Sequence, residues 1–534
     1  MKQTLIFLTG ILFILNSLNA QTKTDSIETD PNNIYHNWFN KSPIDDTIYG
    51  AEVNKAYELL LKNKKATTVI VAVIDGGIDI NHEDLKDKIW INNNEIADNG
   101  IDDDNNGYID DIHGWNFLGN TKGENIDYEN LEVTRIYKMF KDKNTKQIRD
   151  EDKYAYQFYK EAKKSYTKQS KQLKKQKKGL ETYKNKYYKS YNKIHNILNK
   201  DSISTNDLDS LKIANKSLKK DIKFLYNFVR FGFDPELFNE YEAMIDEQLD
   251  YHLNINYNPR DIIGDDVSDI SSPNGNNNVY GPEADHGTFV SGIIAAKRNN
   301  DLGIDGIAAN AQIMALKVVP NGDERDKDIS KAVRYAVDNG ARVINMSFGK
   351  ELSPYKHLVD DAFKYAEEHG VLVVHAAGND GYNIDKTKQY PTKNITDTKQ
   401  ISTWITVGAS SMKKNYGFAA NFTNYGKEMV EIFAPGVNMK SLAPENTYDI
   451  GDGTSFSAPI VTGVAALVLS YYPNLTALQV KDIILKSALK YPETVVYKPG
   501  DYSKKRKKVS FGELSITGGI VSAYEALKMA KKCE

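Results

Sequence analysis

The sequence predicts an α/β fold with a mostly parallel sheet, interrupted by an inserted α-helical coiled-coil hairpin. Two observations carry this prediction. Apolar runs typical of strands buried on both faces alternate with helical segments of about a dozen residues, which is the pattern of a parallel sheet. Residues 125–260 break this rhythm, because their apolar residues recur at every seventh position instead.

The first predicted strand is the apolar run over residues 67–75, which ends in Asp75. Its continuous hydrophobicity indicates a strand that is buried on both faces. The later elements, in chain order, are strands at 311–319, 341–347, 371–376 and 404–409, with helices at 328–338 and 357–368, strand-like runs at 429–433 and 438–442, and an apolar helix that begins near Ser455. Gly340 and Gly370 end the two helices, as helix C-terminal glycines do.

The interrupting segment is rich in lysine and tyrosine, with 15 Lys, no Arg and four acidic residues between 151 and 200. Two heptad segments flank the polar stretch 201–209, and this pattern predicts an antiparallel hairpin with a third helix over 235–249. Three interpretations stay open: a solvated structural ornament, a docking arm over a cleft, and a basic patch for anionic cell-surface polymers. The second and third of these interpretations imply a docking partner for the segment.

Composition limits the classes of function. The chain has 534 residues and a net charge of −3, so no global basicity points to nucleic acid as a partner. Lys2 precedes the apolar run Leu5–Leu15, and Ala20 offers a small residue before a cleavage point, which predicts a signal peptide and an exported protein, periplasmic or extracellular. No later run reaches membrane length in the mature chain, and Cys533, the only cysteine, excludes an internal disulfide.

Four polar residues stand out against this apolar framework. Asp75 closes the first strand, where α/β folds place their sites, although a lone Asp there is more often a turn former. His286 begins a helix of small residues, and Ser455 begins the last apolar helix, where a plain helix cap is the alternative. Asn379 follows a buried strand and can donate to a developing oxyanion. Serine nucleophiles need a base and an acid that orients it, so the four residues together indicate acyl transfer.

The segments around these residues resemble the motifs of the subtilisin-like serine proteases (subtilases, peptidase family S8). They are residues 73–77 (VIDGG), 286–288 (HGT), 377–379 (AGN) and 453–459 (GTSFSAP). The chain order Asp, His, Ser is also that of the family. The resemblance covers roughly residues 45–118 and 262–490. It implies a three-layer subtilisin-like fold and an exported endopeptidase that acts on proteins or peptides.

The resemblance also implies roles for single residues. Ser455 is expected to attack the peptide carbonyl, His286 to act as general base and then general acid, Asp75 to orient it, and Asn379 to bind the oxyanion. The substrate cleft is expected to be edged by two short segments, namely Ser347, Phe348 and Gly349, and Ala376, Ala377 and Gly378. Two alternatives stay open: a catalytically silent binding protein that acts through the helical insert, and a peptidyl transferase or ligase that uses the same acyl-enzyme.

We therefore predict five segments along the chain. They are a signal peptide (1–20), an N-terminal linker (21–44), the first part of the catalytic domain (45–124), the inserted helical hairpin (125–260) and the second part of the catalytic domain (261–534). The two catalytic parts come together if the ends of the insert lie close to each other, which an antiparallel hairpin provides. The short distance from residue 20 to the first strand leaves no room for a separate folding prodomain.

An acidic loop predicts a structural calcium ion. Its expected oxygen ligands, at alternate positions, are Asp102, Asp104, Asn106, the carbonyl of Tyr108 and Asp110. This is the spacing of a calcium loop, and Gly107 occupies the sixth position. The twelfth position is His113 rather than Glu, so the loop is not an intact EF-hand. The alternative is a solvated loop of Asx turns.

Overall fold

The structure, a computed structural model, describes residues 35–200, 202–267 and 274–533. The predicted signal peptide and the first part of the predicted linker lie outside the described residues. The chain divides into two compact units. Within the described residues, the larger unit contains the chain up to Glu132, Arg149–Tyr156 and the chain from Asn258 onward, and the helical unit contains Val133–Ile148 and Gln157–Tyr257.

The strands and helices follow the alternation that the sequence predicts. The strands are β1 (Val69–Asp75), β2 (Gly114–Asn116), β3 (Ala311–Lys317), β4 (Val343–Met346), β5 (Leu372–Ala376), β6 (Trp404–Ser410), β7 (Ile432–Pro435), β8 (Met439–Ala443), β9 (Thr447–Gly451), β10 (Leu489–Lys490), β11 (Val495–Tyr497), β12 (Lys508–Ser510) and β13 (Gly519–Ile520). The helices are α1 (Val53–Ala56), α2 (Glu132–Phe140), α3 (Lys153–Gln157), α4 (Tyr159–Leu198), α5 (Thr205–Ala214), α6 (Lys219–Arg230), α7 (Glu236–Glu247), α8 (Arg260–Ile263), α9 (Ala284–Ala295), α10 (Asp326–Asp338), α11 (Lys356–Glu368), α12 (Thr454–Tyr471), α13 (Ala477–Lys486) and α14 (Ala523–Ala530).

Nine of these strands form one sheet in the order β10-β13-β7-β6-β5-β4-β1-β3-β2. All neighbouring pairs are parallel except β10 with β13. The register places Asp75 opposite Lys317, Met346 opposite His375, and Ala376 opposite Val407. The carboxyl ends of β1, β4 and β5 therefore lie at the same edge of the sheet, which is where open α/β sheets place ligands.

Helices cover both faces of this sheet, as the alternation of side chains along β1 shows. Val71 and Val73 pack into an apolar cluster with residues of α9 and α12, whereas Ala72 and Ile74 pack into a second cluster with residues of α10 and α11. Successive side chains of a strand point to opposite faces, so each face has its own core. The predicted three-layer α/β fold is confirmed.

The helix α12 is apolar along its whole length because it lies inside the larger unit. It is long and apolar enough to cross a membrane by composition alone, but 83% of this span is buried in the fold. Its neighbours are the central strands β4 to β7 and the helices α9, α13 and α14. We therefore interpret it as the central core helix.

The described part of the predicted linker, residues 35–44, belongs to the larger unit. Trp38 and Phe39 are fully buried in the same apolar cluster as α12. The indole N–H of Trp38 donates to the carbonyl of Asn438 over 3.0 Å. Around these side chains the chain is a packed part of the core rather than an exposed connection.

The helical unit consists of one long helix and several shorter ones. In α4, the residues Leu180, Tyr187 and Ile194 are buried at seven-residue intervals, as the heptad pattern predicts. They pack with apolar residues of α5, α6 and α7. The coiled coil itself is not confirmed, because the returning arm is divided. α5 ends before Asn215, whose backbone is extended (φ −135°, ψ 95°) and whose side chain accepts a hydrogen bond from Ser217 N.

Buried ion pairs in the larger unit lie where the chain leaves it and returns to it. Arg260 contacts Glu129 over 3.4 Å and Asp328 over 2.5 Å. Glu129 precedes the helical unit in the chain and Arg260 follows it, so this contact holds the two ends of the crossing together. Lys350 contacts Glu132 over 2.7 Å, and all five side chains are buried.

Candidate active site

The structure brings Asp75 and His286 into direct contact. Asp75 is the last residue of β1, and His286 lies in the first turn of α9. Nδ1 of His286 lies 2.8 Å from Oδ1 of Asp75, and the same oxygen accepts a hydrogen bond from Gly76 N over 2.8 Å. A carboxylate oxygen can only accept, so Nδ1 carries the proton and Nε2 of a neutral His286 is left as a basic nitrogen.

Glycine at position 287 allows α9 to approach the end of β1. A Cβ atom added there would lie 2.1 Å from the carbonyl oxygen of Gly77 and 3.2 Å from Cβ of Asp75. No side chain fits at the first of these distances, because real Cβ atoms do not come so close to a carbonyl oxygen. Packing therefore explains the glycine of the HGT motif, Gly287, just as chemistry explains the histidine, His286.

Two opposing effects act on the pKa of His286. Burial favours the neutral ring and lowers the pKa, but attraction to the charge of Asp75 and the hydrogen bond to it favour the imidazolium. Asp285 and Glu283 add to this attraction, and the net pKa is raised above the usual 6.5. The side chain is still 34% exposed, so a substrate can reach the ring.

Ser455 is the second residue of α12. Phe456 follows it and contacts the ring of His286, with 5.9 Å between the ring centroids. The Ser455 hydroxyl donates to the carbonyl of Ser347 over 3.0 Å. A hydroxyl has one proton to donate, so in this conformation it does not donate to His286.

A chain of buried hydrogen bonds holds the segment that faces Ser455. The hydroxyl of Ser347 donates to the carbonyl of Ser455 over 2.9 Å, and accepts from Asn345 Nδ2 over 3.0 Å. Asn345 Oδ1 in turn accepts from the hydroxyl of Thr462 over 2.9 Å. Sequence analysis gave no role to Asn345 and Thr462, because one lies inside β4 and the other inside α12, and their contact is tertiary.

Asn379 is oriented by the residue before Ser455. Its Oδ1 accepts two hydrogen bonds from Thr454, from the backbone N and from the hydroxyl, each over 2.9 Å. This contact assigns the amide orientation and leaves the Nδ2 group as a donor on the other side. Thr454 Oγ1 also accepts from Gly378 N over 3.0 Å. Sequence analysis missed Thr454 as a positioning residue, although its place in the GTS triplet was a signal.

A pocket of about 260 Å³ lies next to Ser455 and Asn379. Five of the six predicted cleft residues line it, namely Ser347, Phe348, Gly349, Ala376 and Gly378. Ala377 is the exception, because it is buried in an apolar cluster with Phe418 and Tyr425. Ala377 lies beyond the end of β5, and its side chain packs in this cluster rather than in the pocket.

His375, a residue to which the sequence gave no role, is one of the residues that line this pocket. It is buried, and burial lowers its pKa from 6.5 to about 4, so the ring is neutral at pH 7. Its Nε2 lies 2.9 Å from the carbonyl of Phe348. The contact joins the end of β5 to the segment that follows β4.

In the acidic loop over 102–111, two of the predicted calcium ligands converge, because Asn106 N donates to Asp102 Oδ1 over 3.0 Å and to Asp104 Oδ1 over 3.1 Å. Asp102 and Asp110 accept hydrogen bonds from backbone N–H groups of the loop itself, such as those of Asn106 and Asn99. Asx turns are formed by Asp104, which accepts from Asn106 N, and by Asn106, which accepts from Tyr108 N. Of the five predicted ligands, Asp104 alone belongs to the group of clustered carboxylates that the described residues contain.

That group consists of Glu95, Asp104 and Asp111, whose nearest oxygens lie within 4.8 Å of one another. Asn92 Nδ2 donates to Asp104 and to Asp111, and Asn106 Nδ2 donates to Asp111 over 3.0 Å. Sequence spacing gave no signal for Glu95, which precedes the loop. It predicted Asp110 as a ligand and not the next residue, Asp111. Three clustered carboxylates are the kind of oxygen set that a hard cation binds.

The chain is similar to known proteins over most of the larger unit. Residues 66–512 match the protein family described as "Subtilase family". Subtilisin DY of Bacillus licheniformis is 37% identical over 219 residues, which cover 40% of this chain and 74% of that protein. Subtilisin E of Bacillus subtilis (strain 168) is 35% identical over 227 residues, which cover 42% of this chain and 55% of that protein.

The thermophilic serine proteinase of Bacillus sp. (strain AK1) is 36% identical over 213 residues, covering 40% of this chain and 49% of that protein. The chain therefore spans about half the length of subtilisin E and of the thermophilic serine proteinase. These similarities support a serine endopeptidase, as the sequence motifs predict. Because the family match extends over most of the chain and the first relative is matched over most of its own length, this protein belongs to the subtilase family.

Proposed function

We propose that the protein is an exported serine endopeptidase that hydrolyses peptide bonds through Ser455, His286, Asp75 and Asn379. The observation that carries the proposal is the 2.8 Å contact between Asp75 and His286 Nδ1. It fixes the tautomer in which Nε2 can accept a proton, and Phe456, which follows Ser455 at the N-terminus of α12, contacts the same ring. Export is supported by the apolar N-terminal run, which lies outside the described residues.

In the proposed acylation step, Ser455 Oγ attacks the carbonyl carbon of the scissile peptide bond. Its hydroxyl first rotates about the Cα–Cβ bond from the Ser347 carbonyl towards His286, and Nε2 takes the proton. When the C–N bond breaks, the imidazolium returns this proton to the leaving amine. Water then attacks the acyl ester with His286 as base, and the serine is regenerated.

The negative charge of the tetrahedral intermediate requires donors at the carbonyl oxygen. We assign this role to Asn379 Nδ2, because Thr454 occupies the oxygen of the same amide. The backbone N–H of Ser455, in the first turn of α12, is the second donor, since such groups have no partner within the helix.

The pocket beside Ser455 is proposed as the substrate cleft. Residues 347–349 and 376–378 follow the neighbouring strands β4 and β5, and their backbone groups can pair with an extended peptide as an added strand does. Proteins or peptides are accordingly the proposed substrates.

A serine-directed fluorophosphonate probe tests this proposal. We expect the exported, mature wild-type protein, beginning at Gln21, to be labelled, and the Ser455→Ala variant to remain unlabelled. Ser457→Ala is the matched control, because this serine lies in the same helix but its hydroxyl is buried and donates to the carbonyl of Ala434. Equal labelling of wild type and Ser455→Ala would contradict the proposal, and so would loss of labelling in the Ser457 variant alone.

A structural calcium ion is a second proposal, at Glu95, Asp104 and Asp111. The group fits such an ion because its donors are carboxylate oxygens held close together. Burial, followed by repulsion from Asp111, raises the pKa of Glu95, and a cation would relieve that repulsion. Bound there, calcium would stabilise the loop and take no part in peptide hydrolysis.

Thermal unfolding with calcium and with EDTA tests this site. At a calcium concentration about 100 times the Kd, binding to the native state alone adds about 2.7 kcal/mol to the free energy of unfolding. We expect this difference to disappear in Asp104→Asn and Asp111→Asn but to persist in Asp102→Asn, whose carboxylate bonds to the loop backbone. Asp104 belongs to both ligand sets, so loss of the calcium effect in Asp102→Asn with its persistence in Asp111→Asn would support the set with alternate spacing instead.

A further inference from the structure

The long helix α4 carries a continuous row of lysines that the proposed hydrolysis does not use. The row consists of Lys160, Lys164, Lys168, Lys171, Lys175 and Lys178. Neighbours in it are separated by three or four positions, and residues at these separations lie on the same side of a helix. At 1.5 Å per residue the row is about 27 Å long. Two further lysines, Lys186 and Lys189, follow about two turns further on.

All six side chains of this lysine row are exposed. In the part of the chain that the structure describes, none of them forms an ion pair. Other lysines of α4 do so, since Lys177 contacts Asp246 and Lys184 contacts Glu242. The buried residues Leu180, Tyr187 and Ile194 follow a different line along the helix, so the row is on the side away from the core of the helical unit.

The composition of the row differs from that of an ordinary solvated helix face. Such faces usually alternate lysine with glutamate at three- or four-residue spacing, because the opposite charges stabilise the helix. Here every neighbour in the row is another lysine, and like charges at this spacing repel each other and destabilise the helix. Glu161 and Glu181, the acidic residues of α4, lie three positions from Lys164 and from Lys178, near the two ends of the row. The other four lysines, Lys160, Lys168, Lys171 and Lys175, have no acidic residue of α4 at this spacing.

We propose that the lysine row binds a linear acidic polysaccharide of the polyuronate type. The rise between neighbouring lysines is about 4.5–6 Å, whereas duplex DNA carries a charge every 1.7 Å or so. A polyuronate has one carboxylate on each sugar ring, so its charges are spaced more widely, like those of the row. A straight row of lysines complements a straight chain of carboxylates through many weak, exposed contacts.

Two other anionic partners fit the row less well. Single-stranded nucleic acid is usually bound by aromatic side chains that stack on bases, and the row contains none. Membrane-surface helices carry a large apolar face opposite the lysines, and in α4 that face is buried in the helical unit. The row also contains no arginine, the residue that pairs with phosphate through two hydrogen bonds. A role in retaining the exported protein on a polymer rests on the proposed function, but the binding itself does not.

Binding to polygalacturonate tests the proposal. The full mature chain is used with Ser455→Ala to prevent self-digestion, and its affinity is measured by calorimetry between about 50 and 200 mM NaCl. The row variant replaces Lys164, Lys168, Lys171 and Lys175 with Gln. The matched control replaces four exposed lysines on α5 and α6 and between them, which form no ion pair in the described chain, namely Lys212, Lys216, Lys219 and Lys220.

We expect the parent protein to bind, with the logarithm of its affinity falling linearly against the logarithm of salt concentration. The row variant should bind at least about tenfold more weakly at low salt and show a smaller salt slope, by about 0.7–0.9 for each lost contact. The control, which loses the same net charge, should stay within about twofold of the parent.

Three results would overturn the proposal. They are no binding by the parent at low salt, equal losses in the two variants, and tighter binding to duplex DNA or to phosphatidylserine vesicles than to polygalacturonate. Circular dichroism at each step confirms that α4 is intact, and Gln is a good helix former that also removes the repulsion, so helix loss is not expected. Because the parent already lacks the Ser455 hydroxyl, failure of binding and failure of the proposed hydrolysis are seen separately.

Discussion

Replacing Asp75 with Asn is expected to lower kcat for a peptide substrate by about 10⁴-fold. The amide of Asn can donate a proton to His286 Nδ1, which stabilises the tautomer with the proton on Nε2. That tautomer cannot take the proton of Ser455. The side chain is nearly isosteric, so the fold around the end of β1 should remain, and KM should change far less than kcat.

The pH profile gives this prediction a second readout. The general base must be neutral, so activity of the wild type is lost as the pH falls through the pKa of His286, which is raised above 6.5. The charge of Asp75 is the main cause that raises it, while burial acts in the opposite direction. In Asp75→Asn we therefore expect the residual activity to persist to lower pH than in the wild type.

Asp285→Asn is the control for this experiment. Asp285 also raises the pKa of His286 by charge, but it is exposed and the contact at Nδ1 belongs to Asp75. We expect a small downward shift of the pH profile and nearly unchanged kcat at high pH. If Asp285→Asn and Asp75→Asn lose the same activity, charge alone would explain the effect and the orienting role of Asp75 would be contradicted.

The second large effect is expected for Asn379→Ala, with kcat lower by about 10²–10³-fold, equal to roughly 2.7–4 kcal/mol of transition-state stabilisation. The donor acts on charge that develops only in the intermediate, so KM should change little. Steady-state kinetics with a chromogenic peptide would measure both constants.

The Ala variant also removes the hydrogen bonds from Thr454, so a structural loss must be distinguished from a loss of the donor. Asn379→Asp keeps the oxygen that accepts from Thr454, but it replaces the Nδ2 donor with a negative acceptor. We expect it to be at least as inactive as the Ala variant. Activity close to that of the wild type in Asn379→Asp would show that the residue acts by holding Thr454.

Much of the larger unit could be predicted because its signals are local. The apolar run that ends in Asp75 is continuous, since β1 is buried on both faces, and it appears as the predicted strand. The helical unit was harder to predict. The buried residues of α4 follow the predicted heptads. The returning arm is interrupted at Asn215, whose side chain accepts a hydrogen bond from Ser217 N. The spacing of apolar residues does not predict a polar cap of this kind.

The candidate site shows the same division between local and tertiary information. The motifs of sequence identify Asp75, His286 and Ser455, and the structure places the first two in contact. The supports of Ser455 come from distant parts of the chain, as Asn345 and Thr462 do, and one sequence does not reveal which buried polar groups meet. Glu95 was missed for the same reason, since it reaches the acidic loop by folding rather than by spacing.

The buried pairing of Arg260 with Glu129 has a consequence for how this chain can change. This pair lies in the larger unit and joins the two outer ends of residues 133–257, of which 149–156 also belong to the larger unit. The entropy cost of a longer connection grows only with the logarithm of its length once the ends are fixed. Parts of the helical unit can therefore be exchanged for segments of different size if residues 149–156 keep their place in the larger unit. At the position where the chain leaves and re-enters the larger unit, the protein can therefore acquire new surfaces while the candidate active site is kept.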